Sequence, residues 1–513
     1  MSDDATVVRR RRPGGSVPDR DPGVVVVGGG AAGLAAAAAV RGAGVDVALV
    51  SRGPLGGDCT WHGCVPSKSL LEAAAAGLGA RAAVDHARSV VARVARAENE
   101  HALRAAGVEV IRAAALLGPE AVVTLEDGTR LRPRLGVVLA TGSRPGTVEG
   151  LPVTVTAGDG PVVRDTDGWL DGLAEHLARA GAGSSTKDGA GDGTGAGARD
   201  VVVIGGGTSG LELSQALARL RAAGPGGTVS LIEVADDLLP DVPGAGGVLA
   251  AALRADGVQV LTGVRPHLLP GLVSGAGLVL LTAGRVPVLD VLGPGAGVTT
   301  RGGAVVVDDR MATSAPRVRA AGDVVGVSPS THVAVATGRV AAAGLLAAHP
   351  GGPETVGTDE VGPDGVGPDG AGPDERPARF EATWVPRVVW TDPQVAAVGR
   401  VPGGPGTRTV RVPLSRNDRA PAAAVPGRRD RSRGGFAQVW LEPGAGGGRV
   451  VGALVVGPQA GEMIAEVALV GRLGLEVQEW VGGQVGLGGT SAHHPYPAWS
   501  WTWALLADRA LTR

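Results

Sequence analysis

Cysteine is nearly absent: Cys59 and Cys64 are the only two in 513 residues. A secreted scaffold held by several disulfides is thereby excluded. Aromatic residues are scarce at 2%, with a single tyrosine, Tyr496. No charge of one sign dominates. The formal net charge is −2, so nothing in the balance points to a nucleic acid or a membrane surface. No apolar run of about 18 residues escapes a glycine break, so no membrane span is expected. The four valines from Val24 break into glycines and read as strand and turn, not as a signal peptide. Arg9 to Arg12 read as part of a solvated, disordered tail over residues 1–22. A soluble cytoplasmic protein is the expectation, and there a close cysteine pair is more often catalytic or metal-binding than a structural staple.

Apolar residues are plentiful at 44%, enough for sizeable cores. Glycine is abundant too, with 87 residues, but without the three-residue period of a fibrous protein. The length suggests about three domains. Val24–Val27 is a buried-type strand that runs into Gly28-Gly29-Gly30-Ala31-Ala32-Gly33, then a helix to about Val40 and a strand over Val45–Val50. The pattern recurs: strand Val201–Ile204, the turn Gly205-Gly206-Gly207-Thr208-Ser209-Gly210, a helix to about Arg221, strand Thr228–Glu233. One strand–G-x-G-x-x-G–helix unit is weak evidence; two in one chain point to two bound dinucleotides. The glycines permit a tight turn and let backbone approach a pyrophosphate at a helix N-terminus. Gly181–Ala198 and Gly351–Glu375 are low in complexity, the latter repeating Gly-Pro-Asp at Gly362, Gly367 and Gly372. Neither buries enough apolar surface to offset ordering, so both read as flexible spacers. Beyond the second, strands Val385–Trp390 and Ala437–Leu441 and a helix near Glu462–Arg472 suggest an α+β C-terminal domain.

The two cysteines lie in GGDCTWHGCVPSK, Gly56 to Lys68. A redox pair, metal ligands or incidental residues are the three readings. In an unbroken helix residues five apart rise by about 7.5 Å, beyond the usual limit of about 7 Å between disulfide-bonded Cα atoms. A bond would need irregular backbone, which Gly56, Gly57 and Gly63 permit. Pro66 suits the first turn of a following helix, and Cys64 just ahead of it would have its thiol pKa lowered by the dipole. Zinc held by Cys59, His62 and Cys64 lacks a fourth ligand nearby, and no metal site is expected.

GGDC-TWHG-CVPSK resembles the active-site segment of the two-dinucleotide flavoprotein disulfide reductases, the class I pyridine nucleotide-disulfide oxidoreductases such as dihydrolipoamide dehydrogenase, glutathione reductase and mercuric reductase. The resemblance extends in order from about Val24 to Trp503. Gly28, Gly30 and Gly33 fit the FAD turn. VVLATGSRP, with Thr141, Gly142 and Ser143, is similar to the second FAD motif. VVVIGGGTSGLEL, with Gly205, Gly207 and Gly210, fits the NAD(P) turn. LLTAGRVP, with Gly284 and Arg285, and VRAAGDV, with Gly322 and Asp323, are similar to the paired late motifs. VPRVVWTDPQVAAVG and GPQAGEMI resemble the dimerisation domain.

The resemblance implies an α/β fold of two Rossmann-like domains, for FAD and NAD, plus a C-terminal α+β dimerisation domain. The implied division is a FAD domain in two parts (23–160 and 291–350), an NAD(P) domain (161–290) with a flexible insert at 181–198, a linker (351–378) and a dimerisation domain (379–513). It implies a homodimer and tightly bound FAD. Electrons would pass from a reduced nicotinamide through FAD to a Cys59–Cys64 disulfide, and then to a small-molecule acceptor. Cys64 matches the flavin-proximal thiol and Cys59 the interchange thiol. Lys68 and Glu212 match a pair beside the flavin, Gly57 belongs to the same cofactor-binding segment, and Asp323 would hold the ribityl-phosphate region.

Several departures matter. Ser51 stands where an acid usually binds the adenosine ribose of FAD, a loss of about 1 kcal/mol. Glu233 closes the second unit with an acid and no arginine follows in EVADD, so NAD(H) is preferred over NADP(H). The stretch from Gly257 to Ala283 is short for the family, so the NAD domain reads as trimmed. A mercuric reductase proper would need another cysteine pair. Near the C-terminus, SAHHPYPAWSWTW replaces the family's His-Pro-Thr-x-Ser-Glu, in which the glutamate orients an acid–base histidine. One register uses His494-Pro495; the preferred one uses Tyr496-Pro497 and keeps Ser500. In either, tryptophan takes the glutamate slot and the orienting carboxylate is missing. A tyrosine with a pKa near 10 shuttles protons poorly at neutral pH. Weak turnover of lipoamide or glutathione disulfide is therefore expected, and a quinone reductase or a non-catalytic FAD-binding scaffold stands as the alternative.

Overall fold

A computed structural model describes residues 19–151, 161–182, 200–221, 227–347, 378–424, 434–481, 494 and 496–511. Residues 1–18 of the expected tail, residues 183–198 of the first spacer, the whole second spacer and Pro495 lie outside the described residues. Arg20, assigned to the tail from sequence, instead bridges to Leu131, and the first two spacer residues close the helix Trp169–Ala182.

The first parallel sheet has five strands in the order Val318–Ala320, Gly136–Leu139, Val24–Val27, Val47–Val50, Val108–Ile111. The central strand is the valine run, buried to 6% exposure or less. That explains its unbroken β-branched composition, since helices cover both faces of such a sheet. Helix Ala31–Gly42 leaves its tip and packs on helix Thr331–Leu346. Small residues permit the close approach, because a Cβ on Gly338 would come within 2.3 Å of the Ala32 carbonyl oxygen.

The second sheet repeats the design with Val258–Leu261, Val229–Ile232, Val201–Ile204, Leu278–Leu281 and Val162–Asp165, all parallel. The stretch after Gly257 is short, but it still supplies two strands. The economy falls on the connection, which holds the short 3-10 turn Pro266–Leu268 and the five-residue helix Leu269–Val273. The expectation of a trimmed domain therefore applies to a crossover, not to the sheet. In both sheets the strand that leads into the glycine turn, Val24–Val27 or Val201–Ile204, sits between the strand that follows it in the unit and a later strand. This creates the switch point where ligands bind beyond the strand ends.

The third sheet is antiparallel: Arg387–Val389, Gln394–Gly399, Arg449–Gly457, Phe436–Glu442, Arg408–Pro413. Helices Ala460–Arg472 and Thr502–Leu511 pack on it around Trp480 and Trp503, whose rings lie 5.4 Å apart. The fold class expected from sequence, two Rossmann-like units plus an α+β C-terminal domain, is the one observed. Among the described residues no helix is long and apolar enough to cross a membrane.

Candidate active site

The cysteine segment folds as two short helices with a break between them. Gly57–Trp61 forms the first, and the Gly63 N–H donates to the Asp58 carbonyl at 2.7 Å as it ends. Gly63 caps the second, Cys64–Ala75. Cys64 is thus the first helical residue, one position further in than expected from sequence. It remains in the turn where the dipole favours a thiolate. The break removes the helical spacing between the cysteines, and Cys64 becomes the largest influence on the Cys59 thiol.

The electrostatics of the pair are asymmetric. The Cys64 thiol is drawn down to about 5, chiefly by the bond from Cys59. Burial opposes this, while the Thr331 hydroxyl and the Lys68 charge reinforce it. Cys59 is pushed above the ordinary thiol range by its bond to Cys64, by burial and by the Cys64 charge. Thr331, 3.4 Å from the Cys64 sulfur, opens the helix that packs on Ala31–Gly42.

Both cysteines line a cavity of about 530 Å³ at the switch point of the first sheet. The same wall includes Gly28, Gly30, Ser51, Gly57, Thr141, Gly142, Ser143, Arg285, Gly322 and Asp323. At Gly28 and Gly33 the backbone has no room for a side chain. Gly28 has φ +117° and a Cβ there would lie 2.0 Å from the Ala140 carbonyl oxygen; on Gly33 it would lie 1.9 Å from that of Gly28. Gly33 therefore acts behind the wall, by letting the helix seat against the turn. Ser51 spends its hydroxyl on the Gly53 carbonyl at 3.0 Å. Asp323 accepts from Ser143 at 2.6 Å, and Arg285, which follows Gly284, donates to Ser143 at 2.8 Å. Arg285 also stands 3.3 Å from Asp58 and 3.2 Å from Asp167. Burial raises the Asp58 carboxyl to about 7; the Arg285 charge opposes it, and Asp167 and Asp323 add to it.

Lys68 and Glu212 meet across the two Rossmann units at 2.6 Å. Glu212 is 1% exposed, and its other oxygen accepts from the Trp390 N–H at 3.0 Å, so all three domains touch at this carboxylate. Burial raises its pKa against the pull of Lys68. The second glycine turn repeats the first: Gly205 has φ +114°, a Cβ on Gly210 would lie 1.8 Å from the Gly205 carbonyl oxygen, and Gly207 caps the helix. At the end of the next strand Glu233 accepts from the Gly206 N–H, and from the Ala235 N–H at 2.8 Å.

In the C-terminal segment the motif's glutamate slot holds tryptophan in either register, while carboxylates from other segments lie beside His494 and Tyr496. His494 is buried, with Nε2 3.3 Å from Glu466 Oε1, an oxygen that also accepts from Trp480 at 2.7 Å. Tyr496 is 62% exposed and donates to Asp418 Oδ2 at 2.7 Å. Each residue has its own carboxylate, from a segment remote in sequence. Thr331 and Asp418 escaped sequence reasoning for that reason. Asp58 did not have to: it stands inside the cysteine motif, directly before Cys59.

A glycine-cradled cavity that opens on a cysteine pair, beside a second dinucleotide-type turn, defines a two-dinucleotide disulfide oxidoreductase. The chain belongs to the pyridine nucleotide-disulphide oxidoreductase family, whose model matches residues 22–338; the dimerisation domain of that family matches residues 385–491. It is 28% identical over 476 residues to a mercuric reductase of Acidithiobacillus ferrooxidans, covering 85% of this chain and 74% of that one. It is also 28% identical to dihydrolipoyl dehydrogenase 2 of Haloarcula marismortui, covering 86% and 89%. Among solved structures, the HOCl-induced flavoprotein disulfide reductase RclA of Escherichia coli superposes with TM-score 0.69 at 21% identity, over 94% of this chain and 99% of that chain. LpdA of Mycobacterium tuberculosis gives 0.70 at 22%, over 96% and 99%. The protein is an FAD-dependent oxidoreductase acting on NAD(P)H, with electron transfer between nicotinamide, flavin and a disulfide.

Proposed function

We propose that the enzyme passes electrons from NADH through FAD to a Cys59–Cys64 disulfide and then to a small-molecule acceptor other than lipoamide or glutathione disulfide. The observation that carries this reading is the unequal thiol pair, one low and one high, in the wall of the glycine-cradled cavity. Bound FAD supplies the two-electron relay between nicotinamide and disulfide. The chain's residues divide the rest. Gly28, Gly30 and Gly33 admit the pyrophosphate to the helix N-terminus, and Ser143, Arg285 and Asp323 form a polar wall beside it. A hydride equivalent carries two electrons and one proton. Breaking the S–S bond leaves a thiol on Cys59 and a thiolate on Cys64, the state their hydrogen bond and the Thr331 hydroxyl favour. Lys68, fixed by Glu212, adds positive charge that stabilises the Cys64 thiolate.

The preference for NADH rests on Glu233, whose carboxylate repels a 2′-phosphate. The chain acts as a homodimer in the cytoplasm, one subunit's C-terminal domain completing the other's site and bringing Tyr496 to Cys59 of the partner subunit. With tyrosine in place of histidine, exchange with disulfide substrates is slow. The same replacement favours a second reading, in which the flavin reduces a quinone without the disulfide. Anaerobic NADH titration separates them. The first reading expects a thiolate–flavin charge-transfer band that Cys64→Ser abolishes and that Cys59→Ser shows without reduction. A Cys64→Ser enzyme that keeps the band refutes the assignment of the thiols, and undiminished acceptor turnover by Cys59→Ser favours the second reading.

A further inference from the structure

The Tyr496 side chain is held from two directions. Its ring meets Trp501 edge-on, with centroids 5.5 Å apart and planes at 79°. Its hydroxyl donates to Asp418, 78 residues away in sequence, at 2.7 Å. Asp418 precedes the short helix Arg419–Ala423 yet makes no capping bond to it. Its carboxylate turns outward to the phenol instead. The neighbouring Asn417 keeps the two segments in register. Its side chain is 1% exposed, and its amide donates to the Ala498 and Trp499 carbonyls at 2.9 and 3.2 Å and to the Thr502 hydroxyl at 2.9 Å. A buried amide with three acceptors fixes the backbone on which the exposed Tyr496–Asp418 pair stands. Exposed polar pairs ordinarily gain little from such support; here an aromatic contact, a hydrogen bond and a buried staple converge on one solvent-facing hydroxyl.

The direction of the bond has a chemical consequence. The phenol has one proton to donate, and Asp418 takes it. The oxygen's lone pairs are left facing outward, so the pair presents an acceptor to an incoming thiol or hydroxyl.

We propose that Asp418 is the positioning residue that replaces the glutamate missing from the His-Pro-Thr-x-Ser-Glu pattern, holding Tyr496 as an outward-facing hydrogen-bond acceptor through which a thiol proton passes to Asp418. The proposal rests on the reading that Tyr496 serves the acceptor side of the cysteine pair. The step balances. A thiol gives its proton to the phenol oxygen as the phenol proton moves to the Asp418 carboxylate, leaving a thiolate, a neutral tyrosine and a carboxylic acid, and no electrons change hands. Tyrosinate is never required, in keeping with a phenol that the bond and charge of Asp418 hold above its usual range.

The single tyrosine makes the test site-specific. The holoenzyme labelled with ¹³Cζ-tyrosine gives one resonance whose pH titration reports Tyr496. Loss of the carboxylate in Asp418→Asn should strengthen the phenol as an acid by about tenfold, the effect of one charge-assisted hydrogen bond. Asp418→Glu, which keeps the charge, should restore much of the wild-type midpoint and serves if the asparagine variant misfolds. In stopped-flow reoxidation of the two-electron-reduced enzyme, Asp418→Asn and Tyr496→Phe should slow the reaction to the same degree, and the double variant no further. An unmoved resonance in Asp418→Asn overturns the proposal. So does wild-type reoxidation by Asp418→Asn where Tyr496→Phe is slow. Wild-type reoxidation by Tyr496→Phe instead defeats the reading that places Tyr496 at the acceptor side, whatever the resonance shows.

Discussion

Thr331→Val removes one hydroxyl from the environment of the Cys64 thiolate and keeps the β-branched shape at the start of its helix. The Oγ1–Sγ distance is 3.4 Å. Hydrogen bonds to charged groups contribute roughly 1.5–3 kcal/mol, and a long bond to sulfur belongs at the low end of that range. One pKa unit corresponds to about 1.4 kcal/mol, so the substitution should move the Cys64 thiol from about 5 up by about one unit. The sign follows from the hydroxyl's role as a donor to the anion: without it the thiol form gains. At pH 5.5 the thiolate fraction should fall from about 75% to about 25%, whereas at pH 8 both enzymes should be almost fully ionised. The assay is the charge-transfer absorbance of the two-electron-reduced holoenzyme, titrated anaerobically from pH 4 to 8. Cys59 and Lys68 also hold the thiolate, so the band should persist at high pH with a displaced midpoint. A midpoint that stays where it was would mean that Thr331 does not bond the thiolate and that Cys59 and Lys68 account for the shift alone.

Asp58→Asn tests the carboxyl that burial, reinforced by Asp167 and Asp323, raises from 3.8 to about 7. A folded-state pKa above the unfolded one means that stability is lost as pH rises through this window. The variant should therefore melt higher than wild type at pH 8 and show a flatter decline between pH 4 and 7; parallel melting curves would refute this. Gly28→Ala places a methyl 2.0 Å from the Ala140 carbonyl oxygen and should yield a folded protein that purifies without flavin absorbance, whereas a yellow variant would sink the cradle. Glu212→Ala leaves Lys68 and the Trp390 N–H without their carboxylate. It should cost about 3–5 kcal/mol in denaturant melts, with Glu212→Gln closer to wild type because it still accepts from Trp390. Glu233→Ala should narrow the preference for NADH over NADPH by about tenfold in kcat/KM, the worth of one hydrogen-bonded or repelled group, and an unchanged ratio would refute the role of Glu233.

What depended on contiguous residues was legible in the sequence. Both glycine turns, their flanking strands and helices, and the cysteine segment are local patterns in which backbone sterics and hydrophobic period act within about thirty residues. That is why the fold class followed from them, and why Lys68 and Glu212 could be named, though only by resemblance to a family. The site's energetics were not legible, since they arise where distant segments meet. Thr331 reaches Cys64 across 267 positions and Asp418 reaches Tyr496 across 78. Sequence reasoning sought the orienting carboxylate at a fixed spacing and found tryptophan. In the folded chain Asp418 and Glu466 reach Tyr496 and His494 from elsewhere, because a hydrogen bond requires an oxygen within about 3 Å and is indifferent to which part of the chain delivers it. Ionisation followed the same rule. Sequence alone implied a lowered Cys64 thiol from its helix N-terminus, but the contrast with Cys59 comes chiefly from the interaction of the two thiols, and the rise at Asp58 comes from burial reinforced by Asp167 and Asp323 against the pull of Arg285, all of which only the folded chain brings together.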